Sequence, residues 1–261
     1  MDSISSPFRP RLRRTRPNPR SHRLVSSLAV GLATSTLASL TAGSAAAAGV
    51  PSRVQAKQQV AVLLTAHRAH QEPEAGSPQT ALVAARRPIT GEQTTLPVTG
   101  SLTGPDGVTW LQVMLPGRPN SSTGWIAQQG TRELVTLWHL VVNLSARRVS
   151  VYRDGRMQRS LQAVVGKPST PTPTGQFFVE ETLQMAGGEA GGPFALALSA
   201  RSDALQEFEG GPGQIAIHGR NNLGGTLGTA ASHGCVRLAT ASIEWLAARI
   251  GPGTPVTIDG G

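Results

Sequence analysis

The chain contains very little cysteine and lysine, and several common functional motifs are missing. Cys235 is the only cysteine among 261 residues, so an intramolecular disulfide is excluded. Lysine occurs only at Lys57 and Lys167, and arginine supplies almost all of the positive charge. Internal repeats, a glycine-rich phosphate loop, a metalloprotease helix motif and an acidic calcium loop are all absent. These absences argue against the nucleotide-binding, zinc-protease and calcium-binding classes that such motifs mark.

Residues 1–48 have the pattern of a secretory signal peptide. Seven arginines and one acidic residue precede an apolar stretch that runs from Leu24 to about Leu40. A segment of small residues follows, and we expect cleavage after Ala47 or Ala48. An uncleaved membrane anchor is the alternative, which the six serines and threonines of the apolar stretch disfavour. We therefore expect an exported protein in the cell wall or the extracytoplasmic space.

The net charge of the chain belongs mostly to this leader. The whole sequence carries +9 at pH 7, but without residues 1–48 only 17 basic residues remain against 14 acidic ones, a net charge of +3. A nucleic-acid partner thereby loses its main support, and a membrane partner is expected only if the leader stays uncleaved. In an oxidising compartment a lone thiol is a liability unless it has a function, which favours a catalytic role for Cys235.

Residues 51–133 are predicted to form a small β domain. Short segments rich in Val, Thr and Leu alternate with turns of Gly, Pro, Asn and Ser. The predicted strands are Val60–Ala66, Thr80–Ala85, Thr94–Leu102, Thr109–Leu115 and Gly124–Ala127. The alternating segment at Thr109–Leu115, followed by a turn and Gly124-Trp125-Ile126, resembles a bacterial SH3-like domain. A β-rich extension without a binding role is the alternative, and the sequence does not separate the two.

Residues 134–261 are predicted to form a larger β domain with one helix. The strands are expected at Leu137–Leu144, Val149–Tyr152, Ser160–Val165, Gln176–Val179, Phe194–Ser199, Gln214–His218 and Pro255–Ile258. The Asp154-Gly155 pair predicts a tight hairpin turn. Apolar residues at helical spacing predict the helix over Ser242–Arg249, and a Gly-Pro-Gly sequence ends it.

Two motifs in this second domain carry the strongest functional signal. Ile217-His218-Gly219-Arg220 precedes Ser232-His233-Gly234-Cys235-Val236-Arg237, with Cys235 17 positions after His218. A cysteine attacks as its thiolate, and a neighbouring imidazole is the usual base that generates it. The pair therefore predicts a cysteine acyl-transfer enzyme.

The order and length of these motifs resemble the catalytic signature of the L,D-transpeptidase (YkuD-like) family. Supporting matches are Trp138–Asn143, Val149–Tyr152, and Gly166 followed by Thr172–Phe177, so that the resemblance covers about residues 134–259. It implies a β-sandwich-like catalytic domain with one helix after the cysteine motif. The fold class expected for the chain is mainly β, with the smaller SH3-like domain in front. Arg237 stands where asparagine is also common in the family.

The resemblance assigns roles to residues of the two motifs. It implies that Cys235 is the nucleophile and that His218 takes the thiol proton and returns it to the leaving amine. It also implies that a backbone carbonyl orients the imidazole, and here this carbonyl belongs to Gly219. The backbone N–H groups of Gly234 and Cys235 lie at a tight turn, and we expect them to stabilise the oxyanion. Gly234 permits the unusual backbone angles of such a turn.

Three further residues of the cysteine motif are candidates for substrate binding: Ser232, His233 and Arg237. His233 can shape the pocket, hold the turn or contact the substrate. Arg237 can bind a substrate carboxylate or pair with an acid such as Glu244. A zinc site formed by the two histidines and the cysteine of the motifs matches no standard ligand spacing. No metal or cofactor is therefore expected.

Three further histidines and one glycine-rich segment lie outside the motifs. His139 lies in a predicted strand and is interpreted as structural. The sequence suggests no partners for His67 and His70, which precede a loop. The glycine-rich segment Ala186–Pro193 is a candidate lid over the thiol.

The reaction implied by the resemblance is acyl transfer between peptidoglycan stem peptides. Cys235 would attack the carbonyl of a diamino acid, commonly meso-diaminopimelate, in a tetrapeptide stem, expel D-alanine and form a thioester. The side-chain amine of a neighbouring stem would then resolve the thioester into a 3→3 cross-link. Carbapenem-type β-lactams would acylate the same thiol.

Other outcomes stay open at this point. The same thioester would give L,D-carboxypeptidase activity with water, or attach a protein or D-amino acid to the wall. A catalytically inactive cell-wall binding protein is an alternative of another class. The intact pair of His218 and Cys235 argues against it, because an inactive copy would be expected to lose one of them.

Overall fold

A computed structural model describes residues 54–207 and 211–261, and the predicted leader at 1–48 lies outside them. The described residues form sixteen strands and one α-helix, so the prediction of a mainly β fold is confirmed. No helix in this part of the chain is both long enough and apolar enough to cross a membrane.

The first sheet contains seven antiparallel strands in the order β3-β2-β6-β5-β4-β1-β7. The strands are β1 (Gln58–Leu63), β2 (His67–His70), β3 (Gln79–Val83), β4 (Thr95–Thr103), β5 (Thr109–Met114), β6 (Thr123–Ala127) and β7 (Thr131–Thr136). The strand predicted at Thr109–Leu115 is observed as β5, which pairs with both β4 and β6. Four of its six residues are buried, so it is more deeply buried than the half-buried strand that the alternation predicts. Its buried side chains include Leu111 and Val113, which lie in the core of this sheet. The likeness of residues 51–133 to SH3-like domains stays a prediction.

The sequence pattern does not predict two of these strands, β2 and β7. In β2, His67 is buried with its ring nitrogens 2.8 Å from the carbonyl oxygen of Thr65 and 3.0 Å from that of Gln129. His70 is also buried and packs edge-on against Trp110. Both histidines therefore have partners that the sequence does not suggest, and the loop expected after them runs from residue 71 to residue 78.

The second sheet contains nine strands in the order β14-β10-β15-β13-β12-β11-β16-β8-β9. The strands are β8 (Trp138–Asn143), β9 (Arg148–Arg153), β10 (Arg156–Gly166), β11 (Gly175–Gln184), β12 (Phe194–Arg201), β13 (Gln214–His218), β14 (Ala230–Ser232), β15 (Val236–Leu238) and β16 (Pro255–Asp259). The long strand β10 pairs with β9 in its first part and with β15 and β14 in its second part. The sheet therefore closes on itself, as expected for a sandwich-like domain.

The only helix of the described residues, α1 (Thr240–Ala247), follows the cysteine motif, as the sequence predicts. Its buried side chains Ile243 and Leu246 join the apolar core enclosed by the second sheet. This helical spacing of apolar residues is the signal by which the sequence predicts α1.

The two sheets share a buried contact along β11. Phe177 and Phe178 are adjacent in this strand and therefore point to opposite faces. Phe177 packs in the core of the second sheet, whereas Phe178 packs in the core of the first sheet. Asn120 adds two hydrogen bonds of 2.8 Å with the backbone of Arg201 at the end of β12. The first sheet is thus fastened directly to the strands beside the motifs.

Candidate active site

The register of β13 and β15 brings the two motifs to one face of the sheet. These strands are parallel neighbours, with Ile217 opposite Val236 and His218 opposite Arg237. Ile217 and Val236 are fully buried in the core. Because side chains alternate along a strand, His218, Cys235 and Arg237 point to the opposite face, where each is half-buried. The two residues predicted to act as base and nucleophile therefore line the same cleft.

A sharp turn at Gly234 presents Cys235 to the cleft. Gly234 has a φ of +123°, a backbone conformation that L side chains rarely adopt. A Cβ at this position would also lie 2.9 Å from Cδ1 of Ile215, closer than side chains normally pack. The Sγ atom of Cys235 lies 4.0 Å from the carbonyl oxygen of Gln214, at the start of β13. The backbone conformation therefore favours glycine before the cysteine, and the side chain of Ile215 would have to shift to admit a larger residue.

Ser232 holds this turn from the inside. Its hydroxyl donates to the carbonyl oxygen of Cys235 at 2.6 Å and accepts from the backbone N–H of Gly234 at 3.1 Å. Its side chain is fully buried and holds the turn, and the contact of Ser232 with substrate stays a prediction. The Gly234 N–H is already used by this hydroxyl, and its role in stabilising an oxyanion stays a prediction.

The segment that follows β10 braces the same turn from the other side. The buried hydroxyl of Thr172 donates to the carbonyl oxygen of Gly234 at 2.7 Å and accepts from the N–H of Gly166 at 2.9 Å. The N–H of Lys167 donates to the carbonyl oxygen of Ser232 at 3.0 Å. In the sequence, Thr172 is recognisable only as part of the segment Thr172–Phe177. Its role as a brace requires the fold, since it lies 62 positions from Gly234.

The imidazole of His218 is oriented by a backbone carbonyl. Its Nδ1 lies 2.8 Å from the carbonyl oxygen of Gly219, which can only accept, so Nδ1 carries the proton and Nε2 is left to accept one. Burial lowers the pKa of His218 below its ordinary value of 6.5. The Gly219 carbonyl opposes this shift, nearby Arg237 adds to it, and the Gly191 backbone opposes it. The imidazole is therefore neutral near pH 7 and able to take a proton from a thiol.

The glycine-rich segment Ala186–Pro193 packs directly against His218. Gly191 has a φ of +85°, and a Cβ there would lie 2.9 Å from Nδ1 of the imidazole. The N–H of Gly191 donates to the carbonyl oxygen of Asn221 at 2.8 Å, which ties the segment to the loop after β13. This segment therefore helps to enclose the imidazole, and its movement as a lid stays a prediction.

The other polar residues of the cysteine motif lie around the thiol. Arg237 donates from Nη1 to the carbonyl oxygen of Gly224 at 2.9 Å and lines the cleft. The sequence leaves open an ion pair between Arg237 and Glu244, but no such ion pair is found among the described residues. His233 is exposed, with Nε2 3.4 Å from Nζ of Lys167. Within the described ranges, no three histidine, cysteine or acidic side chains are grouped to hold a metal ion.

A cleft of about 780 Å³ opens in front of Cys235. Its polar lining includes His218, His233 and Arg237 of the two motif regions, and much of the remaining wall is apolar. One apolar residue, Ile89, comes from the connection between β3 and β4, and no sequence signal connects it with the motifs. The cleft can therefore hold an extended ligand with its reacting group at the thiol and aliphatic parts along the wall.

Comparison with known proteins agrees with this site. Residues 138–258 match the family model of the L,D-transpeptidase catalytic domain, YkuD. The YkuD protein of Bacillus subtilis is 29% identical over 152 residues, which cover 56% of this chain and 84% of that protein. L,D-transpeptidase 1 of Mycobacterium tuberculosis is 28% identical over 132 residues, covering 46% of this chain and 49% of that protein. The chain thus spans about half the length of this second relative.

Solved L,D-transpeptidases are also similar over parts of the chain. The structure of LdtMt1 in complex with imipenem has a TM-score of 0.39 and 21% identity, and the match covers 64% of this chain and 91% of that one. L,D-transpeptidase 3 of Mycobacterium tuberculosis, in complex with a faropenem-derived adduct, has a TM-score of 0.41 and 14% identity. That match covers 76% of this chain and 94% of the solved one.

Proposed function

We propose that this protein is an exported peptidoglycan L,D-transpeptidase that forms 3→3 cross-links through a thioester on Cys235. The observation that carries the proposal is the common face of β13 and β15. There the half-buried Cys235 lines one cleft with His218, whose Nδ1 is engaged by Gly219 and whose Nε2 can accept a proton. This is the arrangement that activates a cysteine nucleophile.

The first half of the reaction forms the thioester. The thiol proton of Cys235 passes to Nε2 of His218, and the sulfur attacks the carbonyl carbon of the third stem residue. The tetrahedral intermediate collapses with cleavage of the C–N bond, and the imidazolium returns the proton to the departing amine of D-alanine. The backbone N–H of Cys235 is the proposed stabiliser of the oxyanion, because the N–H of Gly234 already donates to the buried hydroxyl of Ser232.

The second half transfers the acyl group to an amine. The side-chain amine of a neighbouring stem attacks the thioester carbonyl, an amide bond forms, and the C–S bond breaks. The amine proton passes through His218 back to the sulfur, so that the enzyme is regenerated. Water in place of the amine would give L,D-carboxypeptidase activity, and another amine would give wall attachment.

Arg237 is proposed to bind a carboxylate of the stem peptide. Its side chain lines the cleft, and its Nη1 donates to the carbonyl oxygen of Gly224. A guanidinium has five N–H donors, so others are left for an anionic ligand. The complexes of related enzymes with imipenem and with a faropenem-derived adduct support the further proposal that β-lactams acylate Cys235 here.

Intact-mass spectrometry after incubation with a carbapenem tests the nucleophile. We expect one covalent adduct on the wild-type protein and none on Cys235→Ala. Release of D-alanine from a tetrapeptide stem, and analysis of the products with and without a second stem, would separate cross-linking from hydrolysis. A folded wild-type protein that forms no adduct and releases no D-alanine would favour the inactive binding protein.

A further inference from the structure

A hairpin of the first sheet reaches the rim of the catalytic cleft. It runs over residues 86–93, where Arg86 and Gln93 form an isolated β-bridge, and the N–H of Gly91 donates to the carbonyl oxygen of Arg87 at 3.1 Å to close its tip. Ile89 lies in this tip and is 66% exposed, yet it lines the same cleft as Cys235. A large apolar side chain in such a place is available to a ligand, because it contributes little to either core.

Buried charges fasten this hairpin to the second sheet. The carboxylate of Glu181 in β11 is 1% exposed and accepts hydrogen bonds from the N–H of Thr90 at 3.2 Å and from its hydroxyl at 2.9 Å. The guanidinium of Arg87 forms an ion pair with Glu180, the neighbour of Glu181. Arg201 of β12 completes the group with a 3.0 Å contact to Glu180.

The position of Ile89 is therefore determined by the second sheet, through the contacts of its neighbours Thr90 and Arg87 with β11. Moving the hairpin away would leave the buried carboxylates of Glu180 and Glu181 without several of their partners, which is costly in a water-poor environment. The hairpin consequently behaves as a fixed part of the cleft wall and not as a loop of an independent domain.

We propose that Ile89 is a specificity-determining residue that contacts the aliphatic part of the stem peptide beyond the reacting amide. The proposal rests on the L,D-transpeptidase function proposed above. The side chains that line the cleft with Ile89 include Met185, Ala190 and Leu223, which suit methyl groups and methylene chains. Such a contact is made equally in the ground state and the transition state, so it lowers KM and leaves kcat unchanged.

Steady-state release of D-alanine from a tetrapeptide stem tests the proposal with Ile89→Ser. We expect KM to rise about fivefold and kcat to stay within about twofold, since a rim contact is worth less than a fully enclosed side chain. Leu82→Ser is the matched control, because Leu82 of β3 is 67% exposed, belongs to the same sheet and does not line the cleft. Its KM should equal that of the wild type.

Two variants of Thr90, whose hydrogen bonds to Glu181 hold the hairpin, test whether the position of Ile89 affects KM. Thr90→Val removes the hydroxyl that donates to Glu181. It should raise KM, but by a smaller factor than Ile89→Ser does. Thr90→Ser keeps a hydroxyl at this position and should restore the wild-type KM. The rate of alkylation of Cys235 by iodoacetamide should stay the same in all these variants, because none of them touches the thiol.

Binding of the stem peptide to the Cys235→Ala protein, measured by calorimetry, provides a readout that needs no turnover. Weaker binding on adding Ile89→Ser, but not Leu82→Ser, supports the proposal. Turnover by the wild type together with equal KM values for the Ile89 and Leu82 variants overturns it and leaves the proposed function intact. A wild-type protein that neither binds nor turns over the stem overturns both.

Discussion

His218 donates Nδ1–H to the carbonyl oxygen of Gly219, its immediate neighbour in the chain, at 2.8 Å. This local hydrogen bond selects the tautomer of the imidazole in which Nδ1 carries the proton and Nε2 can accept one. The same contact was expected from the family resemblance, and the geometry fits a base for Cys235.

The acid side of the pH profile should report the pKa of His218. Below this pKa the imidazole is protonated and cannot take the thiol proton, so kcat/KM falls. Because burial holds the pKa below 6.5, the midpoint of the acid limb is expected below pH 6.5. Arg237→Gln removes a cation that lowers this pKa, and the midpoint should move to higher pH. Arg237→Lys keeps the charge and should move it less, whereas an unmoved limb in Arg237→Gln would contradict the assignment.

Gly191→Ala should impair catalysis by displacing the imidazole. The new Cβ would lie 2.9 Å from Nδ1 of His218, and we expect kcat/KM to fall about tenfold or more, as small displacements of catalytic groups do. Gly188→Ala is the matched control, because Gly188 lies in the same segment with a similar φ of +83° and has no atom within 4 Å of the added Cβ. If both variants lose activity equally, backbone strain alone explains the loss, and displacement of the imidazole does not.

Thr172→Val should loosen the turn that carries Cys235. The substitution keeps the shape of the side chain but leaves the N–H of Gly166 and the carbonyl oxygen of Gly234 without their partner. We expect the free energy of unfolding to fall by about 2 kcal/mol. The rate of carbapenem acylation should fall as well. Thr172→Ser retains the hydroxyl and should preserve both quantities more closely, which chemical denaturation and stopped-flow acylation would measure.

His139 should make stability depend on pH. Its side chain is buried, and burial lowers its pKa from 6.5 to about 4. The unfolded chain therefore binds a proton at a higher pH than the folded chain does, and stability is lost as the pH falls from 6.5 towards 4. The shift corresponds to about 3 kcal/mol.

The variant His139→Gln isolates this contribution. Nε2 of His139 lies 2.8 Å from the hydroxyl of Thr257, and a glutamine amide can donate to the same oxygen without titrating. Denaturant unfolding of both proteins between pH 7 and about pH 4 should give stabilities that diverge as His139 becomes protonated. Parallel pH dependences would rule out His139 as the cause.

Much of the fold and part of the site follow from local sequence patterns. Alternating and continuous apolar segments predict most strands, and Gln214–His218 is predicted with its observed ends. The helix is displaced by two residues from the prediction at each end. The motif residues Cys235 and His218 are recognised from their order in the chain, because the chemistry requires these residue types next to glycines.

Other features depend on contacts between distant segments, and no local pattern reports them. The short strand β2 and the polar strand β7 have too few apolar residues to be predicted, and neighbouring strands stabilise them. The brace from Thr172, the close packing of Gly191 on His218 and the position of Ile89 join residues far apart in sequence.

The chemistry available to this protein can be inferred from the amino-acid sequence, which has one thiol, a histidine beside a glycine and segments that form strands. The side chains that surround the thiol can be identified only from the folded chain. The physical reason is that hydrogen bonds such as Thr172 to Gly234, and buried charges such as Glu181 with Thr90, form after the sheets have brought their backbones together. The type of a residue determines which bonds its side chain can form, and the packing of the sheets determines which partners it contacts.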